Sequence, residues 1–438
     1  MSIRKNGPAR PGRNCYNDAM KRFTKGYEKS MSEMNEATGD RQLPIRHNRL
    51  WMVLLLGSLT AFGPLSMDMY LPGLPGVADD FGTTASFAQL SITAALIGLG
   101  IGQLVFGPMS DIKGRRRPLL FTLAVYAVAS LLCVFSSDVW IFVGLRLIQG
   151  ISAAAGIVIA RAASRDLYSG KELTKFIAML ALVNGAAPIL APLLGGIVMN
   201  FASWRFVFVI LAAIGVVMLF AVAFSLPETL PEQNRKTGGL SETFGSFGIL
   251  LKDRAFMGIA LAQAFVSTSM FAYIAGSPFV LQNIYGITPQ QFSIVFAVNG
   301  IGIIIAAQLT GRLSAAVSEV KMMKWGVSAS FAGGLLLVAA VLLSMPMWVL
   351  LVGLFLVVSS VGVVNTTGFS LGMGNHGKIA GSASAFLGIL PFAGGGLVSP
   401  LVGIAGDQNA LPMAIVIFLS STLAFSVYHA VIKRSIAE

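Results

Sequence analysis

Two charged side chains interrupt long apolar runs of the sequence and are the first candidates for chemistry. Asp68 lies within residues 66–72, and Arg146 lies in an apolar run that begins after Asp138. A carboxyl group favours its neutral form when it is withdrawn from water and its charged form when a cation is near. A carboxyl group whose access to water and distance to an arginine both change can therefore bind and release a proton. We expect Asp68 and Arg146 to form such a proton-binding pair.

The depth of Asp68 can be counted in two ways. Counted from Arg49 at ~1.5 Å per residue, it lies ~28 Å along a straight helix, where an interfacial residue would be. Counted down from a helix end near Gly76, it lies about 12 Å deep at ~1.5 Å per residue, as Arg146 does below Asp138. We favour the second count because an arginine inside a membrane needs a partner or a watery cavity. That count requires a helix that continues through Pro72, Gly73 and Pro75.

The composition is that of a polytopic membrane protein, which determines the elements that must position these two charges. Of 438 residues, 55% are hydrophobic and 11% are charged. A membrane-spanning helix needs about 20 apolar residues. Glycines, prolines and charges divide the apolar part of the chain into twelve such segments. The predicted spans, numbered 1 to 12, are 50–75, 86–108, 118–137, 139–161, 174–200, 204–225, 255–282, 289–312, 323–344, 347–372, 379–405 and 410–432.

The polar segments predict four regions. Residues 1–49 form a disordered cytoplasmic tail, 50–226 a first bundle of six helices, 227–254 a cytoplasmic linker, and 255–438 a second bundle of six. The fold class is therefore all-α integral membrane, with twelve transmembrane helices in two bundles. Cys15 in the tail and Cys133 in span 3 imply no disulfide framework.

The basic residues predict the orientation of the chain. All of the 31 Lys and Arg residues lie in the tail or in alternate loops on one side, apart from Arg146 and Arg205. Loops rich in Lys and Arg remain in the cytoplasm, so both termini are expected there. The net charge of +12 is thus a topology signal, with attraction to anionic lipids as a by-product. Nucleic acid is not an expected partner.

The loop between spans 2 and 3 carries a patterned motif, in which Gly107, Pro108 and Gly114 are predicted to end span 2. Asp111 is the acidic member of this basic loop and could simply offset local repulsion. The motif reads Gly107-x-x-Ser110-Asp111-x-x-Gly114-Arg115-Arg116-Arg117.

This motif resembles the loop after the second span in the major facilitator superfamily, and the resemblance covers residues 50–432. It implies duplicated, pseudo-symmetric halves with a site between them near the middle of the membrane. It also implies that Asp111 acts as a latch when the cytoplasmic side is closed, by pairing with basic residues and a helix N-terminus of the neighbouring half. The implied gating residues are Gly107, Asp111, Gly114 and Arg115.

Span 5 contains a second patterned run. Its prolines and glycines would bend a helix and expose its backbone to close packing, and a kinked packing helix is one interpretation. The run also resembles the antiporter motif of exporters in this superfamily, although Ala191 replaces the glycine that usually precedes the proline. The residues are Asn184, Gly185, Pro188, Pro192, Gly195 and Gly196.

Neutral polar and sulfur-containing side chains are the candidates for substrate binding. The predicted spans 7 to 12 contain no Asp or Glu, so that half offers aromatic and amide surface without fixed charge. Such a wall suits amphipathic organic molecules better than ions. Alternatively, these side chains satisfy one another between packed helices. The candidates are Tyr70, Gln149 and Asn184 in the first half and Met270, Tyr273, Asn299 and Asn365 in the second.

Four segments carry a narrower resemblance. They are Asp68-Met69-Tyr70-Leu71-Pro72, Arg146-x-x-Gln149-Gly150, Ala160-Arg161-Ala162 with Arg165-Asp166-Leu167, and Pro227-Glu228-Thr229-Leu230.

These segments are similar to those of the Bcr/CflA branch of the twelve-span drug:proton antiporters. The resemblance implies a multi-pass monomer of the bacterial inner membrane that exports compounds such as bicyclomycin or chloramphenicol-type drugs. The proton gradient would supply the energy, and no cofactor is expected. The alternatives are a proton-coupled transporter of a metabolite such as a sugar, and a receptor or scaffold, for which the longest loop is too short.

Enzymatic chemistry is poorly supported. Residues 372–378 fit a GxGxxG pattern and most of a phosphate loop, but Ile379 stands where a Ser or Thr would hold magnesium, and no strand precedes the motif. His47, His376 and His429 are scattered, so we expect neither catalysis nor a metal site.

Overall fold

The computed structural model describes residues 49–235, 248–374 and 380–433. Residues Met1–Trp51 form one unit, of which only the beginning of the first helix is described, and residues Met52–Glu438 form a second. Twelve helices of the described chain are long and apolar enough to cross a membrane, and these residues contain no strand. The predicted fold class and number of spans are therefore confirmed. The predicted tail, much of the linker and Ile379 lie outside the described residues.

The observed helices keep the predicted span numbers with shifted ends. Span 1 consists of Arg49–Asp68 and Leu74–Asp80, joined through a 3₁₀ turn at Leu71–Gly73. Spans 2 to 6 are Ala85–Lys113, Arg116–Val134, Val139–Leu167, Gly170–Val198 and Arg205–Ser225. Spans 7 to 12 are Arg254–Phe279 with a π turn at Val280–Ile284, Pro289–Leu313, Glu319–Leu342, Met347–Gly374, Ala380–Val402, and Leu411–Val427 with a π turn at Tyr428–Ile432.

Span 2 does not end where its glycine and proline predicted. The helix continues through Gly107 and Pro108 to Lys113, and only Gly114, with a φ of 85°, reverses the chain. A proline removes one backbone donor, but membrane helices tolerate this where neighbouring groups satisfy the freed carbonyl. A positive φ is a conformation that glycine adopts without the penalty paid by other residues.

Polar residues at helix starts explain several boundaries. Asp138 accepts hydrogen bonds from the backbone N–H groups of Trp140 and Ile141, which caps span 4. Asp253 caps span 7 in the same way. At the start of span 8, the Thr288 side chain accepts a hydrogen bond from the backbone N–H of Gln291, and the Gln291 side chain accepts one from the backbone N–H of Thr288. Each cap satisfies donors that the first turn of a helix otherwise leaves unpaired.

Glycines allow spans 2 and 4 to pack backbone against backbone. A Cβ added to Gly98 would lie 2.9 Å from the backbone nitrogen of Ile151, and one added to Gly150 would meet the carbonyl of Ala95. Small residues permit such close approach between membrane helices. Between the two halves, span 2 packs on span 11 and span 5 packs on span 8.

The two ends of the bundle differ in charge. Odd-numbered spans run towards one end and even-numbered spans run back. The "acidic end" carries Asp79, Asp80, Asp138 and Asp407, and the "basic end" carries Arg115, Arg116, Arg161 and Arg165. The predicted orientation places the basic end in the cytoplasm.

Arg205, the exceptional arginine at the acidic end, is held by backbone and carboxylate oxygens. Its Nη1 donates hydrogen bonds to the carbonyls of Val134 and Ser136, and its Nε lies 3.7 Å from Asp80. Trp204 donates a 2.8 Å hydrogen bond to the same carboxylate. Arg205 therefore joins the ends of spans 1, 3 and 6.

Candidate functional site

Span 1 is interrupted at its candidate proton carrier. The helix ends at Asp68, and a 3₁₀ turn precedes the short helix Leu74–Asp80. The unbroken helix that the depth count required is therefore absent, and the count was wrong for Asp68. Pro72 cannot donate a backbone hydrogen bond, which favours a break at this point. The side chain of Asp68 is nevertheless only 6% exposed, so protein surrounds it.

Arg146 is fully buried, at 0% exposure, two turns into span 4. Its Nη1 donates a hydrogen bond to Gln149 Oε1, and its Nη2 lies 3.9 Å from the sulfur of Met67. The guanidinium carbon lies 4.5 Å from the centre of the Tyr70 ring and 5.6 Å from that of Phe208. An arginine over aromatic faces is stabilised by cation–π attraction. Arg146 therefore faces the interior of the first half and not lipid.

A polar network surrounds this arginine. Gln149 donates a 2.7 Å hydrogen bond to Ser130, and the hydroxyl of Tyr70 lies 2.9 Å from that of Ser91. Both Gln149 and Tyr70 are fully buried. In this conformation they position Arg146 and do not line an open cavity, which differs from the expected substrate contact. The sequence analysis missed Ser91, Ser130 and Phe208, because a serine or phenylalanine in an apolar helix carries no distinguishing signal.

Asp68 and Arg146 lie in one region without forming a direct ion pair. The hydrogen-bond acceptor of the Arg146 guanidinium is Gln149. No ion pair joins Arg146 to Asp68, both of which are described. The carboxyl group of Asp68 is close enough to interact electrostatically with both Arg146 and Tyr273. Asp68 therefore interacts electrostatically with a cation of the first half and with a phenol of the second.

Three of the four neutral candidates of the second half take part in hydrogen bonds between side chains. Asn299 donates a 2.9 Å hydrogen bond to the hydroxyl of Tyr273, and both are buried. Ser267 donates a longer hydrogen bond, of 3.4 Å, to Asn365. The first pair supports mutual satisfaction between packed helices. Met270 and Asn365 are only half-buried, as is Asn184 in span 5.

The patterned run of span 5 packs against the broken part of span 1. Pro188 and Pro192 lie inside the single helix Gly170–Val198. A Cβ on Gly195 would clash with the carbonyl oxygen of Met69, the residue after Asp68. A Cβ on Gly196 would clash with Ser293 of span 8, whereas Gly185 has only an ordinary contact with Ile304 at 3.7 Å. Gly195 thus sets how closely span 5 approaches the residues that follow Asp68.

The predicted gating residues lie in a charged cluster at the basic end. Arg115 pairs with Asp111 at 2.5 Å and with Asp166 at 3.0 Å, and it also donates to Ser110. Burial lowers the pKa of Arg115, but its hydrogen bonds to Asp166 and Asp111 outweigh that effect and leave the pKa above its usual value. The cluster therefore holds a permanent cation at the start of span 3.

Glu228 places a carboxylate at the N-terminus of span 3. Glu228 accepts hydrogen bonds from the backbone N–H groups of Arg115, at 2.7 Å, and Arg116, at 3.2 Å. Negative charge is stabilising at a helix N-terminus. A Cβ on Gly114 would lie 2.5 Å from a Glu228 oxygen, so glycine is required there for close approach. The ion pair of Asp111 with Arg115 lies within the first half. The contact with the other half that the resemblance implies belongs to a closed cytoplasmic side and stays a prediction.

The two halves are separated by a cleft at the basic end. The cleft has a volume of about 570 Å³ and lies between spans 2 and 4 of one half and spans 10 and 11 of the other. Gly107, Asp111 and Arg115 line it.

Hydrogen bonds join the halves at the acidic end. Gln89 donates to the carbonyl of Ala275 at 3.0 Å, and Gln282 donates to that of Pro72 at 3.1 Å. Gln290 donates to the carbonyl of Gly196 at 3.0 Å. Among the described residues, the structure is therefore closed at the acidic end and open at the basic end.

Within 49–235, 248–374 and 380–433, no group of three His, Cys, Asp or Glu residues could hold a metal ion. The glycine-rich motif falls at the end of helix Met347–Gly374, and its remainder lies outside the described residues.

Comparison with protein families and curated proteins gives extensive matches. The family model for the Major Facilitator Superfamily matches residues 54–400. An uncharacterised MFS-type transporter, YdgK of Bacillus subtilis, is 39% identical over 90% of this chain and 98% of its own length. The bicyclomycin resistance protein homolog of Haemophilus influenzae is 28% identical over 88% of this chain and 96% of its own. The chloramphenicol resistance protein of Pseudomonas aeruginosa is 32% identical over 72% of this chain and 76% of its own.

Solved transporter structures share the fold. The nucleoside transporter NupG superposes with a TM-score of 0.71 at 12% identity and covers 87% of this chain and 98% of its own. A bacterial homologue of the human lysosomal transporter Spinster has a TM-score of 0.68 at 15% identity and covers 89% and 98%. A D-xylose-proton symporter has a TM-score of 0.67 at 15% identity and covers 86% and 97%. Because NupG is named for nucleosides and the symporter for D-xylose, the common fold carries no information about the substrate of this chain.

Proposed function

The chain belongs to the Major Facilitator Superfamily, and on that premise we propose that it exports small amphipathic drugs in exchange for protons. Relatives named for bicyclomycin and chloramphenicol resistance support drugs as the substrate class. We place the protein in a bacterial inner membrane as a monomer with both termini in the cytoplasm.

The observation that carries the proposal is the environment of Asp68. Its carboxyl group is enclosed by protein at the break in span 1, where it interacts electrostatically with Arg146 and Tyr273. Acidic groups inside a membrane protein are expensive and usually functional. Because Arg146 is engaged by Gln149 and not by Asp68, the carboxyl group has no ion pair to break before it accepts a proton.

A change in the position of span 1 would alter the state of this carboxyl group. Movement of Asp68 towards Arg146 favours the ionised form and expels the proton, and movement away favours the neutral form. The break at Leu71–Gly73 would be the hinge for such a movement, because a short 3₁₀ turn, with Gly73 N–H bonded to the carbonyl of Tyr70 at 2.9 Å, replaces the α-helical hydrogen bonds there. Proton binding and helix position are then coupled in one residue.

The half-buried side chains between the two halves would contact the drug. Met270 and Asn365 of the second half and Asn184 of span 5 retain exposed surface. The Tyr273–Asn299 pair would form the neutral wall beside Asp68, from which either member can turn its polar group to the drug. For exchange, drug and proton would occupy this region alternately, so the drug would bind while Asp68 is ionised and leave when Asp68 accepts a proton.

The charged cluster at the basic end would control closure of the cleft. Asp111 and Arg115 line the cleft and belong to one ion-paired cluster with Asp166. Closure brings spans 10 and 11 towards this cluster, where Asp111 would act as the latch. In the proposed orientation, the open cleft is the entrance for drugs from the cytoplasm.

The energy of one proton is sufficient for useful export. A proton that moves through ~100 mV releases about 2.3 kcal/mol. Since ~1.4 kcal/mol corresponds to a factor of ten, one proton can sustain a gradient of a neutral drug of roughly fifty-fold.

Inside-out vesicles test the proposal. Acidifying the vesicle lumen should cause chloramphenicol to accumulate inside, and adding an uncoupler should release it. Asp68→Asn should abolish this accumulation because a side-chain amide, unlike a carboxyl group, cannot take up a proton at the pH of the acidified lumen. Asp79→Asn, which neutralises an exposed carboxylate at the acidic end, is the matched control and should retain accumulation.

The opposite pattern would reject the mechanism. Undiminished proton-driven accumulation by Asp68→Asn removes Asp68 from coupling. Failure of the unmodified protein to accumulate chloramphenicol, bicyclomycin or any compound of a drug panel would favour transport of a metabolite.

A further inference from the structure

One face of span 4 presents two arginines to the cleft at the basic end. Val158, Arg161, Ala162 and Arg165 all line the cleft. Their spacing of three, four and seven residues places them on one side of a helix. Arg161 and Arg165 are four residues apart, so their positive charges repel one another on that face. This arrangement is unfavourable unless something of opposite charge compensates it.

The described residues provide no such compensation. Asp111 and Asp166, the nearby carboxylates, are paired with Arg115. Glu228 is engaged by the N-terminus of span 3. Within the described parts of the chain, neither Arg161 nor Arg165 has an ion-pair partner, and both are exposed. The cleft therefore carries an excess of positive charge on its first-half wall.

The opposite wall of the cleft is partly apolar and partly hydroxylated. Phe369 and Met373 lie one helical turn apart on span 10, and Ser382 and Ser384 lie on span 11. A volume of about 570 Å³ is in the range of small-molecule sites. The space thus combines two guanidinium groups on one side with apolar surface and hydroxyl groups on the other.

We propose that Arg161 and Arg165 bind the carboxylate or phosphate group of an amphipathic molecule whose apolar part lies against Phe369 and Met373. Guanidinium groups recognise both anions through paired, charge-assisted hydrogen bonds. The anion can belong to a soluble substrate or to a lipid head group that enters the cleft between the halves. The inference rests on the proposed function only where it takes the cleft as the substrate entrance.

Equilibrium binding of a charged probe and its neutral ester tests the site. The full chain is reconstituted in nanodiscs of phosphatidylcholine without a proton gradient. A dansyl-labelled fatty acid and its methyl ester are then titrated by fluorescence. The unmodified protein should bind the acid at least about tenfold more tightly than the ester, as expected for hydrogen bonds to a charged group. The preference should weaken as salt is added, because salt screens accessible charges.

Charge-removing variants locate the preference. R161Q/R165Q should bind acid and ester equally, with unchanged affinity for the ester, which also reports an intact fold. R161K/R165K should retain part of the preference. R254Q/R312Q, which removes two exposed charges of spans 7 and 8 that do not line the cleft, should behave as the unmodified protein.

Three results would overturn the assignment. The first is equal binding of acid and ester by the unmodified protein, and the second is a preference for the acid that salt does not weaken. The third is a preference that does not depend on these two arginines, either because R161Q/R165Q retains it or because R254Q/R312Q loses it as much as R161Q/R165Q does. If R161Q/R165Q does not fold, the single variants R161Q and R165Q and the salt dependence decide the matter. Because no gradient is present, the result is independent of Asp68 and of proton coupling.

Phosphatidylglycerol distinguishes the two sources of the anion. If a lipid head group occupies the site, adding phosphatidylglycerol to the nanodiscs should displace the acid from the unmodified protein. Native mass spectrometry should then detect this lipid on the unmodified protein and not on R161Q/R165Q. If the ligand is soluble, phosphatidylglycerol should leave the preference intact. Equal displacement from both proteins indicates repulsion at the membrane surface and contradicts a lipid in the site.

Discussion

The two halves of the molecule place polar groups in their interiors by different means. The first half holds a fully buried cation, Arg146, in a network with Gln149, Tyr70 and Ser130, beside the carboxyl group of Asp68. The described interior of the second half offers the neutral Tyr273–Asn299 pair instead. We infer that the two halves have different roles. The first half carries the charges for proton coupling, and the second half provides a neutral surface for the drug.

The largest expected effect comes from removing the cation. Arg146→Gln should abolish proton-driven drug accumulation in inside-out vesicles, because Asp68 loses the charge that favours its ionised form. The control is Arg205→Gln, which removes an arginine at the acidic end that, like Arg146, lies outside the basic loops. Coupling should survive in the control. Equal loss in both variants would show that the effect is structural and would remove the distinction between the halves.

Close packing in the first half should be the next most sensitive feature. Gly195→Ala places a methyl group against the carbonyl of Met69 and should destabilise the protein by about 1–3 kcal/mol, the usual effect of overpacking. Gly185→Ala in the same helix makes only an ordinary contact and should leave the melting temperature nearly unchanged. Thermal unfolding in detergent measures both. A harmless Gly195→Ala would mean that span 5 does not constrain the break in span 1.

The carboxylate on span 3 should contribute a smaller amount. Glu228→Gln retains the shape of the side chain but removes negative charge from a helix N-terminus, with an expected loss of about 0.5–1 kcal/mol. The matched variant is Glu232→Gln, which affects an exposed carboxylate four residues further along the same segment that pairs with Arg235 at 3.3 Å. Thermal unfolding at low and high salt should show a salt-sensitive loss for Glu228→Gln. Identical behaviour of the two variants would deny Glu228 a special role.

The smallest effect should follow from a change in the neutral half. Tyr273→Phe removes the hydroxyl that accepts from Asn299, which corresponds to about 1 kcal/mol for one hydrogen bond. Drug affinity should fall several-fold at most, while proton coupling persists. Transport measured against drug concentration separates these two effects. If Tyr273→Phe abolishes proton coupling as Arg146→Gln does, Tyr273 belongs to the proton pathway, and the two halves do not have separate roles.

Sequence reasoning recovered the spans because hydropathy and the positions of Lys and Arg are local properties. It also identified Asp68 and Arg146, since a charge inside an apolar run is conspicuous without any structure. It placed the end of span 2 too early, at Pro108, because whether a membrane helix continues through a proline depends on its surroundings in the fold, which the local sequence does not show. It overlooked Glu228 as a helix-capping group, because 112 residues separate it from Arg116.

The sequence by itself determined that this chain is a twelve-span membrane protein with rare interior charges, because burying about 20 apolar residues per span outweighs other local preferences. Only the tertiary structure decided that Asp68 and Arg146 are neighbours without an ion pair. It also decided that Arg161 and Arg165 face a cleft between the halves. The direction in which a charge points depends on which helices pack around it, and those contacts join residues that are distant along the chain.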